Sequence, residues 1–149
     1  MMGPSVIKAL TLAILMQGIV CSPFLFAESR VLESLGDLRW KNRIILVDEA
    51  ADRTVLELVA RAPEFEERHL VWFCVVGEGI RTNYDGALAK GLSTHLRQAY
   101  FDASGFPVLL IGKDGGIKSR NQALDIDAYL MNVDGMPMRQ REMKAPSLD

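Results

Sequence analysis

Gly105-Phe106-Pro107-Val108-Leu109-Leu110-Ile111-Gly112-Lys113-Asp114-Gly115-Gly116-Ile117-Lys118 is the stretch that decides the fold. Val108 to Ile111 is a short unbroken apolar run, the pattern of a strand covered on both faces. Pro107 can only open such a strand, because it has no N–H to give to a ladder. Asp114-Gly115 supplies the positive φ that a two- or three-residue hairpin loop needs. Ile117 to Arg120 is therefore expected to return antiparallel, as an edge strand.

Working outward, two more apolar runs have the same character. Ile44-Ile45-Leu46-Val47 reads as a central strand and Leu70 to Val76 as a second, each without polar alternation. Between them Val55, Leu58, Val59 and Ala62 fall at helical spacing; Thr54 and Glu57 have capping-box spacing, Asp52 is a competing N-cap, and Pro63 is the expected stop. Gly77 to Gly86 reads as a turn-rich loop. Ala87 to Phe101 reads as a second helix with Leu88, Leu92, Leu96 and Ala99 on one stripe. Asp125 is the N-cap of a last helix, with Leu124 and Tyr129 placed as a hydrophobic staple and Gly135 and Pro137 as its stop. Glu28 to Leu38 suggests a helical turn or two, and Met138 to Asp149 a polar, frayed tail.

The 149 residues suit one domain, and 49% hydrophobic content suffices for an ordinary core. A net charge of -2 gives no general drive toward nucleic acid or anionic lipid. The first 27 residues stand apart, with Lys8 their only charged side chain, two apolar runs, and Ala27 before Glu28. This is the pattern of an export signal cleaved after Ala27, which sets residues 1–27 apart from a domain over residues 28–149. Lipidation at Cys21 and retention as an anchor are the alternatives. Removing the segment leaves Cys74 as the single cysteine, so no intramolecular disulfide can form.

The order β-α-β-α-β-β-α is thioredoxin-like, an α/β fold with a mixed four-stranded sheet flanked by helices. The Gly105–Gly115 segment resembles the entry to the third strand of thioredoxins, and by that similarity the Phe106–Pro107 bond is expected to be cis. Four further segments are more specific: Leu38-Arg39-Trp40-Lys41-Asn42-Arg43, Glu67-Arg68-His69-Leu70-Val71, Leu110 to Lys118, and Met136-Pro137-Met138-Arg139-Gln140-Arg141-Glu142-Met143. Together, over about residues 32–143, they resemble the thioredoxin-like domain of unknown function 4174 family. That family occurs in small exported bacterial proteins and at the ends of some animal extracellular-matrix proteins. The resemblance implies a fold and a periplasmic or secreted location, and carries no reaction with it. Asp48-Glu49 departs from the family pattern, which has an aromatic or aliphatic residue followed by a small one.

Thioredoxin chemistry needs two cysteines, and peroxiredoxin chemistry one, where the first strand meets the first helix and the helix N-terminus lowers the thiol pKa. Here that position is Asp48 to Val55, and it holds none. The expected role is thus a non-catalytic module, without cofactor, that binds an unknown protein or small ligand. Asp48, Glu49, Asp52, Phe106 and Pro107 are its candidate binding residues, at the strand ends where open α/β sheets hold ligands. No nucleic acid and no stable membrane association after signal removal are expected. One alternative is a thiol oxidoreductase or redox sensor using Cys74, although a cysteine within an apolar strand reads first as a small hydrophobe. The other is a carboxylate site at Asp48 and Glu49, acting as acid and base or holding a hard cation. His69 and His95 lie on separate elements and lack metal-ligand spacing. Met136, Met138 and Met143 read as packing, and Arg139, Arg141 and Lys144 as a solvated tail.

Overall fold

The computed structural model describes residues 30–145. The expected export signal and its cleavage point lie outside them. Five strands form one sheet: β1 (Arg43–Asp48), β2 (Leu70–Val76), β3 (Gly79–Thr82), β4 (Val108–Ile111) and β5 (Ile117–Asn121). Their spatial order is β3-β2-β1-β4-β5. β1 and β2 are parallel, whereas β1 with β4, β2 with β3 and β4 with β5 are antiparallel.

The three apolar runs are the three central strands. Successive residues of each point to opposite faces, and both faces are covered. Ile45, Val47, Trp72, Cys74, Val108 and Leu110 meet the helices α1 (Asp52–Ala60), α2 (Ala62–Glu67) and α5 (Ile126–Asp134) in one core. Ile44, Leu46, Val71, Phe73, Leu109 and Ile111 meet Leu35 and Leu38 of a short 3₁₀ turn (Leu35–Leu38), and helix α3 (Leu92–Leu96), in the other. With no solvent-facing side, these strands cannot alternate polar and apolar residues.

β3 corrects the expected four-stranded sheet to five. It is a short edge strand with half-exposed side chains, and Ile80 is its one large apolar residue, so its sequence reads as loop. Past its end Asn83 continues the ladder with its side chain: Oδ1 accepts from Trp72 N–H at 2.8 Å and Nδ2 donates to the Leu70 carbonyl.

The expected helix boundaries also move. The chain before the sheet is helical only over its 3₁₀ turn, and Leu32 instead forms a parallel bridge with Leu88. That bridge holds Leu88 extended. Gly91, at φ 81°, then turns the chain, so the second helix begins at Leu92 and not at Ala87. It continues through a π-helical turn (Arg97–Phe101) into α4 (Asp102–Ser104). α1 starts after Ala51 with no side-chain cap, so neither Asp52 nor Thr54 caps it. α1 ends at Ala60, just short of Pro63, as expected; Pro63 itself sits in the first turn of α2, where its missing N–H costs nothing. Asp125 does cap α5, its Oδ1 accepting from Ala128 N–H at 3.0 Å.

The hairpin forms as a three-residue loop. Gly112 N–H donates to the Gly116 carbonyl, and Gly115 takes the positive φ, 83°. No cis peptide bond occurs among the described residues, so Phe106–Pro107 is trans, a correction of the thioredoxin analogy. Gly105, at φ 68°, makes the turn into β4 instead, and Ser104 Oγ accepts from Phe106 N–H. The expected frayed tail is a helix, α6 (Pro137–Lys144), docked across the N-terminal end of β1.

Candidate functional site

Where β1 ends, Asp48 N–H donates to the Pro107 carbonyl at 2.8 Å, so the loop after β1 and the entry to β4 lie side by side. Beside them opens a cleft of about 350 Å³, lined by Asp48, Glu49, Pro107 and Val108 together with Thr54 of α1 and the chain before α5 at Gln122 to Leu124. The cleft therefore lies where the carboxyl end of a parallel strand meets a helix N-terminus.

Of the candidate residues, Asp48, Glu49 and Pro107 meet here, whereas Asp52 and Phe106 lie apart from them. Asp52 opens α1 and pairs with Arg81 of β3 at 3.3 Å, both well exposed. Phe106 packs partly buried against the opposite core. Sequence reading misses Arg97, which the π-helical turn brings to the strand end. Its Nε donates to Asp48 Oδ1 at 3.1 Å, while its other nitrogens reach Glu49 and the Gly77 carbonyl. Glu49 has φ 48°, and its N–H donates back to Asp48 Oδ1. One guanidinium thus serves both carboxylates. A side chain 49 positions from Asp48 gives no local signal that could have found this.

Cys74 stands next to Val47 in the β1–β2 register, with no exposed surface. Burial pushes its thiol up to about 12, against a small opposing effect of the Arg81 charge. Among the described residues, no three His, Cys, Asp or Glu side chains gather into a group able to hold a metal ion. No helix among them is long and apolar enough to cross a membrane.

At the other end of β1, a second polar cluster was not expected. Arg43 is 1% exposed. Its Nη1 donates to the Arg68 carbonyl at 2.8 Å and to Glu142 Oε2 at 3.1 Å, and its Nη2 donates to Glu142 Oε1. Lys113, also buried, donates to the same Glu142 at 2.6 Å and to His69 Nδ1 at 2.8 Å. Burial pushes the Glu142 carboxyl up, but the hydrogen bonds from Lys113 and Arg43 prevail and hold it below its usual range. Arg139, expected in a solvated tail, is buried; it bonds Glu67 and Asp134, and Asp134 also takes Arg68.

The family model described as "Domain of unknown function (DUF4174)" matches residues 34–142. No curated protein and no solved structure matches the chain.

Proposed function

The chain belongs to the DUF4174 family, whose description assigns no activity, and we propose from the cleft at Asp48, Glu49 and Pro107 that it is an exported, non-catalytic binding module of thioredoxin-like fold. The fold reading is supported by the β2-β1-β4-β5 order, with β1 and β2 parallel, the β4–β5 hairpin antiparallel, and helices on both faces. β3 is then an added edge strand. Export rests on the composition of residues 1–27.

The observation that carries the binding reading is the pairing of an open cleft with the absence of a reactive sulfur. The cleft lies at the strand end where thioredoxins keep their cysteines, and here it offers two carboxylates already held by Arg97, a threonine hydroxyl, a glutamine amide and apolar walls. Such a surface orients and holds a ligand. With its thiol raised by burial, Cys74 is almost wholly protonated at neutral pH, and the nucleophile of thiol chemistry is the thiolate.

The test combines an insulin-reduction assay with amide chemical-shift mapping against a library of small ligands and peptides. The expected result is no reductase activity, with shift changes at residues 48–51 and 122–124. Reductase activity abolished by Cys74→Ser overturns the reading, as do shift changes confined to other surfaces. Processing after Ala27 of a reporter fused to residues 1–27 is the expected sign of export.

A further inference from the structure

A second cleft, of about 270 Å³, lies at the opposite end of β1, lined by Arg43, the hairpin residues Gly112, Lys113, Asp114 and Lys118, and Met136, Pro137 and Met138 at the start of α6. Two of the segments that are far apart in sequence, the glycine hairpin and the Met-Pro-Met-Arg run, meet here.

Three features of this cleft favour negative charge. The first is a count of linked ions. Arg43, Lys113, Arg68 and Arg139 are linked through Glu142, Asp134 and Glu67, so four cations meet three carboxylates. His69 adds no charge, because Lys113 can only donate and Nδ1 must therefore offer its lone pair. Lys118 and Asp114 pair with each other at 2.7 Å and cancel. One positive charge is left over among cations that are themselves largely buried, where an unmatched charge is costly.

The second feature is an orphaned donor. Arg43 Nε is buried and has no hydrogen-bond partner, although the other two guanidinium nitrogens are bonded. A buried donor left without an acceptor is unfavourable, and an acceptor supplied by a ligand relieves it. The third is the uncapped start of α6. Met136 at the N-cap has no side-chain oxygen to offer and Pro137 no N–H, so the N–H groups of Met138 and Arg139 are left without intrahelical acceptors. They lie at the positive end of the helix dipole.

We propose that this cleft binds one small organic monoanion, a carboxylate carried on an apolar body, held by Arg43, Lys113 and the first turn of α6. A single carboxylate matches the one surplus positive charge, whereas a phosphate dianion would reverse the imbalance. The methionine and proline side chains form an apolar wall for the remainder of the ligand. The cleft lies just below the range of about 300–1,000 Å³ common for ligand pockets, which limits the body to a short chain or single ring.

The experiment titrates the purified chain with hexanoate, inorganic phosphate and hexylamine, following amide shifts and melting temperature. Saturable hexanoate binding is expected, with shifts at Gly112, Lys113, Met138 and Arg139, a raised melting temperature, weaker phosphate binding and no response to hexylamine. Met138→Glu supplies an internal carboxylate at the helix start, a position where acids favour helices. It should fold at least as stably as the parent while weakening hexanoate at least about tenfold. Lys118→Gln, at an exposed position, should leave folding intact and weaken hexanoate by a smaller factor. Failure of hexanoate to bind, equal binding by Met138→Glu, shifts elsewhere, or tighter binding of phosphate or hexylamine each overturns the proposal.

Discussion

Arg43 and Glu142, 99 positions apart, close the molecule across the N-terminal end of its sheet, with the guanidinium buried and the carboxylate within 3.1 Å of it. Glu142 is the acceptor that Arg43 and Lys113 share, so α6 holds the hairpin to β1 through one side chain. Replacing it with alanine leaves two cations facing each other without a carboxylate between them. Glu142→Ala is expected to destabilise the fold by about 3 kcal/mol, at the low end of the range for breaking a buried pair because Glu142 keeps part of its surface in water. Met143→Ala, one residue on and exposed, is expected to stay within about 0.5 kcal/mol of the parent. Urea unfolding measures both, and equal midpoints would remove Glu142 from this role.

This cluster also explains why one end of the molecule was legible in the sequence and the other was not. Strands β1, β2 and β4 could be read from their apolar runs because burial on both faces leaves no room for polar residues. Asp125 could be read because a cap acts within three residues. Arg43 reads as a polar lead-in, and Arg139 and Glu142 as a solvated tail, because their partners lie far away in sequence, Glu142 for Arg43 and Glu67 for Arg139. The candidate site divided along the same line. Asp48, Glu49 and Pro107 were found from their place at strand ends, while the Arg97 that holds both carboxylates comes from a π-helical turn that no local pattern announces.

The pH response follows from His69. Burial and the Lys113 charge lower its pKa below 6.5, with Arg43 and Arg139 acting in the same direction and Glu142 opposing them. The unfolded chain then binds a proton near pH 6.5 that the folded chain still refuses. Stability contributed by neutral His69 is present above pH 6.5 and is lost as pH falls from there toward the folded pKa. The carboxylates act in a separate window: Asp134, held low by Arg68, and Glu142 contribute stability above about pH 4.5 that disappears in stronger acid. Urea midpoints measured from pH 7.5 to 5.0 are therefore expected to fall for the parent and to flatten in His69→Gln. The slope is modest, since the ring is partly in water. An identical slope in the variant would assign the response elsewhere.

Cys74 yields a prediction about access. Its side chain is wholly buried and its thiol is pushed up to about 12. At pH 8 in native buffer, alkylation is expected to proceed only as fast as the fold opens, and in denaturant to run at the rate of an unprotected thiol. Cys74→Ser buries a hydroxyl among Val47, Trp72 and the α1 side chains, and is expected to cost about 1–3 kcal/mol. Rapid native labelling would contradict both the burial and the protonated state.

Gly112 and Gly115 stand in the same hairpin, yet their replacement by alanine should have different consequences. A Cβ on Gly115 meets Arg39 carbons at ordinary contact distance, 3.6 Å, so space is not the obstacle; the backbone, at φ 83°, is. An alanine held in the left-handed region costs roughly 1–2 kcal/mol. A Cβ on Gly112 would lie 2.5 Å from Lys118 Cε and 2.8 Å from Asp114 Oδ1. Both are the ends of flexible side chains that can swing aside, at the expense of one half-exposed ion pair worth about 0–1 kcal/mol and of the hydrogen bond that Asp114 Oδ1 accepts from Gly116 N–H. Gly115→Ala is therefore expected to lower the urea midpoint more than Gly112→Ala does, and Lys118→Gln, which removes the ion pair alone, should lower it no more than Gly112→Ala. The reverse order would mean that crowding at Gly112 forces the hairpin backbone itself to move.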